Sequence, residues 1–399
     1  MRVLVITSSY PRHRFDSAGI FVEEQASALA ARGHEVLVLA PGASGVAEYT
    51  EGALCVHRPR PLLPSLSDGI FYGAGVPDNL AAAPWRGGAL PLALGPFMQC
   101  ALQLSHRVDV VLSHWLLPSG LLGAFVAERR GIGHVATAHS GEVHLLGRLP
   151  PSVASLFASW LVARTGHVFC SGGHIRAKLA RLIAPHRHGR LQVQPMGLHV
   201  ADYARRTPYV PPAVGAPLRV LAVARLVPVK GLDVLVEAAA HAAREAPRPI
   251  ELTIAGEGPE RARLAALARA RKVTLDLVGA VAPAEVPALL AAHHLFALPS
   301  RVLPSGRTEG CPRTLMEAFA AGLPVVVSDL PEVGEMVAAA GAGLIAPPDS
   351  PVKLGARLCE AAGSPAALAG WSAAAEKAAA AHDWSVTMER LINALTSNG

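Results

Sequence analysis

A series of short apolar runs constrains this chain more than any other feature. In its first half they are Val3–Ile6, Val36–Leu39, Val108–Ser113, His134–Thr137 and Val168–Ser171. In its second half they are Leu218–Val223, Ile250–Ala255, Thr274–Val278, Leu295–Pro299 and Pro324–Ser328. Many are continuous rather than alternating, as strands buried on both faces require. Helix-forming stretches such as Phe21–Arg32, Leu232–Glu245, Arg261–Ala270, Glu285–Ala292 and Arg313–Ala321 lie between them. Strand–helix alternation predicts a parallel, doubly wound α/β sheet. The pattern pauses over Gln192–Pro217, a stretch rich in Pro, Arg and Gly, and restarts at Leu218. A chain of 399 residues exceeds the size of one hydrophobic core, so two such domains joined near there are expected. Two open α/β domains on one linker predict a ligand cleft between the carboxyl edges of their sheets.

Composition removes other classes. Hydrophobic residues make up 51% and charged residues 17%, which excludes a disordered chain. Gly and Pro are abundant but follow no three-residue period, which excludes collagen. Mean hydropathy is +0.34, so the greasiest windows need a reading. Pro91 and Pro96 are expected to break Ala89–Ala101. Leu116–Val126 and Pro287–Leu298 fall short of the roughly 20 residues that span a bilayer. Met1–Thr7 reads as a first buried strand, with no small-residue cleavage site after it. Five scattered cysteines without a Cys-x-x-Cys pair fit reduced thiols in the cytoplasm. Residues 61–97, with many Pro and Gly around Phe71-Tyr72-Gly73, are expected to be a long loop and an acceptor surface.

Net charge is +6 and uneven. Residues 1–190 hold 17 basic and 11 acidic residues, a balance of 17 − 11 = +6, and residues 191–399 hold 19 of each. One reading is an Arg-rich composition without function. The other is a basic face on the first half, aimed at an anionic membrane or acceptor. Few aromatics and no basic run argue against nucleic acid.

Two stretches carry chemistry. Arg307–Val326 follows the strand ending Leu298-Pro299-Ser300. Pro312 suits the start of a helix and Gly322 its end. Glu309 then sits in the loop before that helix and Glu317 inside it. The first N–H groups of the helix, on Arg313, Thr314 and Leu315, form an anion site for a diphosphate. The alternative is a loop Glu and a helical Glu eight apart by coincidence. In Val223–Asp233, Arg225 and Lys230 lie five apart across a loop, so both can meet a leaving diphosphate. The alternative there is two solvated cations and a turn glycine, Gly231. Gly256, in Gly-Glu-Gly, marks a tight turn after the next strand rather than a dinucleotide fingerprint. Gly19 opens a helix after the first strand, where a phosphate can approach closely. His114 and His139 end two further strands. No two Asp lie two apart, so there is no Asp-x-Asp to hold a divalent ion. Walker A and Gly-x-Ser-x-Gly are absent as well.

With its flanking Glu-Gly-x-Pro and Glu-Ala-x-Ala-x-Gly-x-Pro-Val, the Glu309/Glu317 stretch resembles the Glu-x7-Glu signature of the family 4 retaining glycosyltransferases. Ala224–Gly231 is similar to that family's Gly-Arg-Leu-x-x-x-Lys-Gly, with Ala224 in place of Gly. Thr137–Glu142 resembles its Thr-x-His-Gly-x-Asp, with Glu142 in place of Asp. Ala18-Gly19 keeps the second glycine of its Gly pair. The resemblance covers nearly the whole chain and is strong over 218–345. It implies a GT-B fold: two Rossmann-like domains facing across a cleft, 1–197 and 198–383, with a last helix, 384–399, crossing back to the first. It implies sugar transfer from a nucleotide diphosphate sugar with retention, without metal or further cofactor, to a hydroxyl acceptor in glycolipid or polysaccharide biosynthesis. In that scheme Glu317 holds the ribose, Arg225 and Lys230 neutralise the diphosphate, Glu309 orients the sugar, and His139 contacts it. Gly256 and Val281 line the donor pocket. The acceptor, lipid-linked or anionic, enters over first-domain loops, with the protein cytoplasmic or peripheral on the inner face of the membrane. A nucleotide-sugar epimerase of the same fold, or a non-catalytic binding protein, is the competing outcome.

Overall fold

The computed structural model describes every residue except Arg14, Phe15, Ser17, Ser44, Pro61, 73–75, Pro77, Asp78, Ala81, Ala82, Ser305, Arg307, Cys311 and Gly399, and omits the side chains of 64–67 and Ala89. The chain divides into two compact units, Met1–Gly197 with Trp384–Gly399, and Leu198–Asp383.

The first unit is built on β1 (Arg2–Thr7), β2 (Glu35–Leu39), β3 (Tyr49–Glu51), β4 (Leu54–His57), β5 (Val110–His114), β6 (Gly133–Ala138), β7 (His167–Cys170) and β8 (Leu191–Val193). Their order is β3-β4-β2-β1-β5-β6-β7-β8. All neighbours pair in parallel except β3 with β4. Val3, Leu4, Val5 and Ile6 of β1 are all buried, each such side chain contributing about 1.5–3 kcal/mol. One core joins Leu4, Ile6 and Leu39 to Phe97 and Val126 of helices Leu90–Leu104 and Leu121–Arg130. Another joins Ala136 and Val168 to Val143, Leu161 and Ile175 of helices Ser140–Leu146, Pro151–Ala163 and Gly173–Ala180. The last helix, Trp384–Thr396, packs on β5, β6 and helix Ile20–Ala31. Gly197 makes room for it: a Cβ there would lie 2.3 Å from the Trp384 ring.

The second unit has six parallel strands in the order β11-β10-β9-β12-β13-β14. These are β9 (Leu218–Val223), β10 (Ile250–Ala255), β11 (Thr274–Gly279), β12 (Leu295–Leu298), β13 (Val325–Ser328) and β14 (Gly343–Ala346). Helices Leu232–Ala242 and Pro351–Gly363 cross closely at Gly355, where a Cβ would be 2.9 Å from the Ala238 carbonyl. Among the parallel strands of each sheet the order reverses once, between β1 and β5 and between β9 and β12. Loops leaving the carboxyl ends of such a strand pair diverge and leave a crevice, where α/β sheets bind ligands.

Residues 61–97 are not a long loop. They hold helix Pro64–Phe71, a 3-10 turn Pro84–Ala89 and most of helix Leu90–Leu104. Pro91 sits in that helix's first turn, where no N–H is needed, and Pro96 removes only one bond further in. Burial of Phe97 and Ala101 offsets that loss, and Phe71 and Tyr72 are themselves buried. Gly73, the third residue of that expected loop centre, lies outside the described residues. Among the described residues Cys55, Cys100 and Cys359 are free thiols, and no helix is long and apolar enough to cross a membrane.

Candidate functional site

In the second unit the loops after β9 and β12 are stitched together at the strand reversal. Gly231 has φ 61°, and a Cβ on it would lie 2.0 Å from the Pro299 carbonyl oxygen. The Arg301 N–H donates to the Val229 carbonyl at 2.9 Å. This contact brings Lys230 onto Glu309: Nζ donates to Oε2 at 2.6 Å, and Ser300 Oγ donates to the same oxygen at 2.9 Å. Burial alone would raise the Glu309 pKa, but the Lys230 ammonium, the Ser300 hydroxyl and the Arg225 charge together hold it below its ordinary value. Glu309 is therefore an anion with Lys230 as its counter-ion. Arg225 is exposed, and its guanidinium makes no hydrogen bond or ion pair among the described residues. The crevice thus presents an ion pair and an open cation. Lys230, expected from its spacing to meet a leaving diphosphate, is paired with Glu309 through the close packing of Gly231 on Pro299.

Gly256 packs its Cα side against the protein itself. A Cβ would fall 1.9 Å from the Ala224 carbonyl, and its N–H donates to Gly279 at 2.7 Å. The Gly-Glu-Gly turn therefore braces the Arg225 loop. Val281 is half-buried in the loop after β11.

Helix Arg313–Ala320 starts after Pro312. Here one expectation changes. Leu315 is not available to an anion, because its N–H donates to the Pro312 carbonyl at 3.1 Å. The Thr314 N–H makes no hydrogen bond among the described residues. Glu317 is buried. Its Oε1 accepts from Arg313 Nε at 2.7 Å, one helical turn away, and from the Tyr203 hydroxyl at 3.2 Å. Cys311 and Arg307 lie outside the described residues.

The first unit gathers a second set at its own strand reversal. Gly19, at φ 75°, caps helix Ile20–Ala31, and a Cβ there would sit 2.3 Å from the Ser9 carbonyl. From this helix Gln25 reaches His114 (Oε1 to Nε2, 2.8 Å), and His114 Nδ1 lies 3.4 Å from His139 Nε2. Gln25 accepts from Nε2, so His114 Nδ1 is an acceptor and His139 donates to it. Phe21 and Trp115 close over His139, with ring centroids 5.2 and 4.8 Å from its own. Burial lowers the His139 pKa to about 3 and holds His114 well below its ordinary value. Both rings are neutral near pH 7, so His139 is a hydrogen-bonding group and not a cation. Glu142 Oε1 accepts the His139 N–H at 2.6 Å and the Leu116 N–H at 3.3 Å, while Oε2 has no partner among the described residues. Gln25, Phe21, Ser300 and Tyr203 were not singled out from the sequence. The partners of Gln25, Phe21 and Tyr203 are remote in the chain, and Ser300, nine residues before its partner Glu309, sits at no spacing that marks it.

Glu142 gives a pH-dependent outcome. Burial pushes its pKa up to about 8 against backbone N–H bonds that lower it. The folded state then holds a proton between about 4.5 and 8 that the unfolded chain releases. Stability is full below the lower value and is lost as pH rises through the upper one. Glu142→Gln keeps an oxygen for both N–H groups and removes the titration. The variant should gain stability over wild type as pH rises from 5 to 8.5 (~1 kcal/mol or more). Denaturant midpoints that track wild type across this range would refute the assignment.

Among the described residues no three His, Cys, Asp or Glu side chains cluster to hold a metal ion.

Comparison with known proteins places both halves. The family model Glycosyl transferases group 1 matches residues 211–378, and Glycosyl transferase 4-like domain matches 18–197. The Escherichia coli protein assigned to colanic acid biosynthesis as glycosyltransferase WcaL is 30% identical over 260 residues, 63% of this chain and 61% of that protein. This chain spans less than two thirds of the length of the curated relatives first matched. The glycogen synthase of Mycobacterium tuberculosis is 28% identical over 92% of this chain and 87% of its own. Among solved structures, Anabaena HepE in complex with UDP aligns over 100% of both chains with TM-score 0.71 at 16% identity.

Proposed function

We propose that this chain, which belongs to the group 1 glycosyltransferases and has their GT-B fold, moves a sugar from a nucleotide diphosphate donor to a hydroxyl acceptor during polysaccharide or glycolipid assembly. The observation that carries this reading is the crevice of the second unit, where exposed Arg225 lies within electrostatic reach of the Lys230–Glu309 pair. A departing diphosphate needs cations where its charge grows, supplied before the reaction begins. Arg225 supplies one. Lys230 has two further N–H donors beyond the one on Glu309. The Thr314 N–H adds the start of a helix. HepE, solved with UDP, supports a nucleoside diphosphate as the donor's leaving group.

The reaction we infer retains the anomeric configuration. The acceptor oxygen bonds to the anomeric carbon on the face from which the diphosphate leaves. The carbon–oxygen bond to the diphosphate breaks, and the acceptor proton passes to the leaving phosphate. Glu309 is held as an anion by Lys230, so it orients the sugar as a hydrogen-bond acceptor. Neutral His139 contributes a hydrogen bond and no charge. Glu317 is assigned to the ribose, which requires it to exchange Tyr203 or Arg313 for the sugar hydroxyls. No divalent ion enters this scheme.

Calorimetry with uridine, guanosine and adenosine diphosphate sugars, in excess chelator, tests it. One donor should bind with its affinity unchanged by chelator, and Arg225→Ala should weaken that binding. Binding that requires added Mg²⁺ would overturn the metal-free scheme. Conversion of the donor to its epimer without any acceptor would make the protein an epimerase.

A further inference from the structure

The basic excess of the first unit is not spread over it. Residues 143–197 contain seven Lys or Arg and no Asp or Glu. The whole unit holds 18 basic and 12 acidic residues, so the remainder balances at 11 − 12 = −1. Residues 61–97, the expected acceptor surface, themselves sum to −1, with Arg86 against Asp68 and Asp78. The charge belongs to helix Pro151–Ala163 and its surroundings.

That helix has two apolar stripes. Ala154, Ala158 and Leu161 are buried against the sheet. Val153, Leu156, Phe157 and Trp160 recur at i, i+3, i+4 and i+7 and form a second stripe, turned about a third of the way round from the first; Phe157 and Trp160 are half-buried against the core and carry its inner edge, and Val153 and Leu156 face outward. Leu156 is 74% exposed and Val153 48%. Arginines frame this face. Arg164 stacks over the Trp160 ring, 4.4 Å from its centroid, and pairs with Glu128. Arg187 donates to the Ser159 carbonyl at 2.7 Å, and Arg190 to the Val162 carbonyl at 2.8 Å, at the helix's carboxyl end. Ser155 Oγ donates to Leu182, which places exposed Arg181 beside the helix's middle. Arg148 is exposed just before the helix begins. Apart from Arg164, none of these arginines meets a carboxylate among the described residues.

From this amphipathic face and its one-signed frame, we propose that helix Pro151–Ala163 docks the first unit on the anionic surface of a lipid bilayer. Leu156 and Val153 enter the boundary between headgroups and acyl chains, and the arginines meet lipid phosphates. An acidic protein or a polyanion would satisfy the arginines and leave the apolar stripe in water. The proposal does not rest on sugar transfer, and its test reads no activity.

Flotation with phosphatidylcholine–phosphatidylglycerol vesicles at low salt should carry the protein up, and phosphatidylcholine vesicles should not. High salt should release it, because screening shortens to a few ångströms. Leu156→Asp, at a position too exposed to affect folding, should abolish flotation. Arg148→Gln with Arg181→Gln should lower the partition coefficient roughly 30-fold, since each cation near such a surface is worth about 1 kcal/mol and 1.4 kcal/mol is tenfold. Trp85→Ser, on the other exposed segment, should change nothing. A protein that stays down with anionic vesicles overturns the proposal. So does flotation lost in Trp85→Ser but kept in Leu156→Asp.

Discussion

Lys230→Ala should lower the rate of sugar transfer by roughly 100-fold or more, the scale of losing one charge partner for a transition state. The loss has a second component specific to this site. Lys230 and Glu309 are 2.6 Å apart, with side chains only 17% and 13% exposed. Removing the ammonium strands a buried carboxylate, so local stability should fall as well. The Glu309 pKa, now held below its ordinary value chiefly by Lys230 against burial, should rise. In wild type that depressed pKa contributes stability above the unfolded value that is lost as pH falls through the folded one. In Lys230→Ala this contribution disappears, and the acid limb of the rate profile should move up in pH. Arg225→Ala is the matched control. Its side chain is exposed and unpaired among the described residues, so transfer should fall comparably with the thermal midpoint unchanged. Steady-state rates and melting curves on the two variants decide the matter. Lys230→Ala with near-wild-type turnover would remove the lysine from the mechanism.

Gly231→Ala should be among the most damaging changes of a single methyl group. At φ 61° an alanine is strained by about 1–3 kcal/mol, and its Cβ would lie 2.0 Å from the Pro299 carbonyl oxygen. A backbone oxygen cannot swing aside as a side chain can. The loops after β9 and β12 must separate, which breaks the Arg301–Val229 hydrogen bond and draws Lys230 off Glu309. A loss of about 3 kcal/mol or more is expected, at the upper end for single substitutions, with activity falling in parallel. Gly215→Ala isolates the strain component, since Gly215 has φ 77° with open space beyond it. That variant should lose no more than the strain. Urea midpoints for the two, if equal, would show that the contact with Pro299 does not matter.

The fold was readable where burial dictates composition. β1 from Val3 and β9 from Val220 are continuous apolar runs because both faces of a parallel sheet are covered, while β10 alternates apolar with polar residues, and the ends of all three fall within a residue or so of expectation. Four strands escaped. β3 is exposed along its length, and β8 and β14 are short with mixed burial. β4 alternates buried and half-buried positions beside β3 at the sheet edge. None of them needs the apolar run that betrays a central strand. Residues 61–97 misled because proline was read as a breaker. Pro64 and Pro84 instead begin helical segments, and Pro91 lies in a first turn. At the site, spacing located Arg225, Lys230, Glu309 and Glu317 on the right loops and helix. It could not say which charges neutralise one another. The Lys230–Glu309 pair depends on how two loops pack, and Glu317 is held by Tyr203, 114 residues away. The Gln25–His114–His139 chain likewise spans three separate elements.

The path of the backbone at residues 197–200 and 382–384 has a consequence for dissection. Leu198 bridges to Asp383, its N–H donates to the His382 carbonyl at 2.9 Å, and the Val200 N–H donates to the Asp383 carboxylate at 3.1 Å. The second unit therefore begins and ends at one point. It is an insertion between Gly197 and Trp384, and a segment cut at those residues carries its own clasped ends. The first unit cannot be obtained by simple truncation. A fragment stopping at Gly197 lacks Trp384, Met388 and Leu391, all buried in the intact chain, and uncovers the apolar surface they occupy. Gene fragments of the first unit must join 1–197 to 384–399 through a short graft to be soluble and folded.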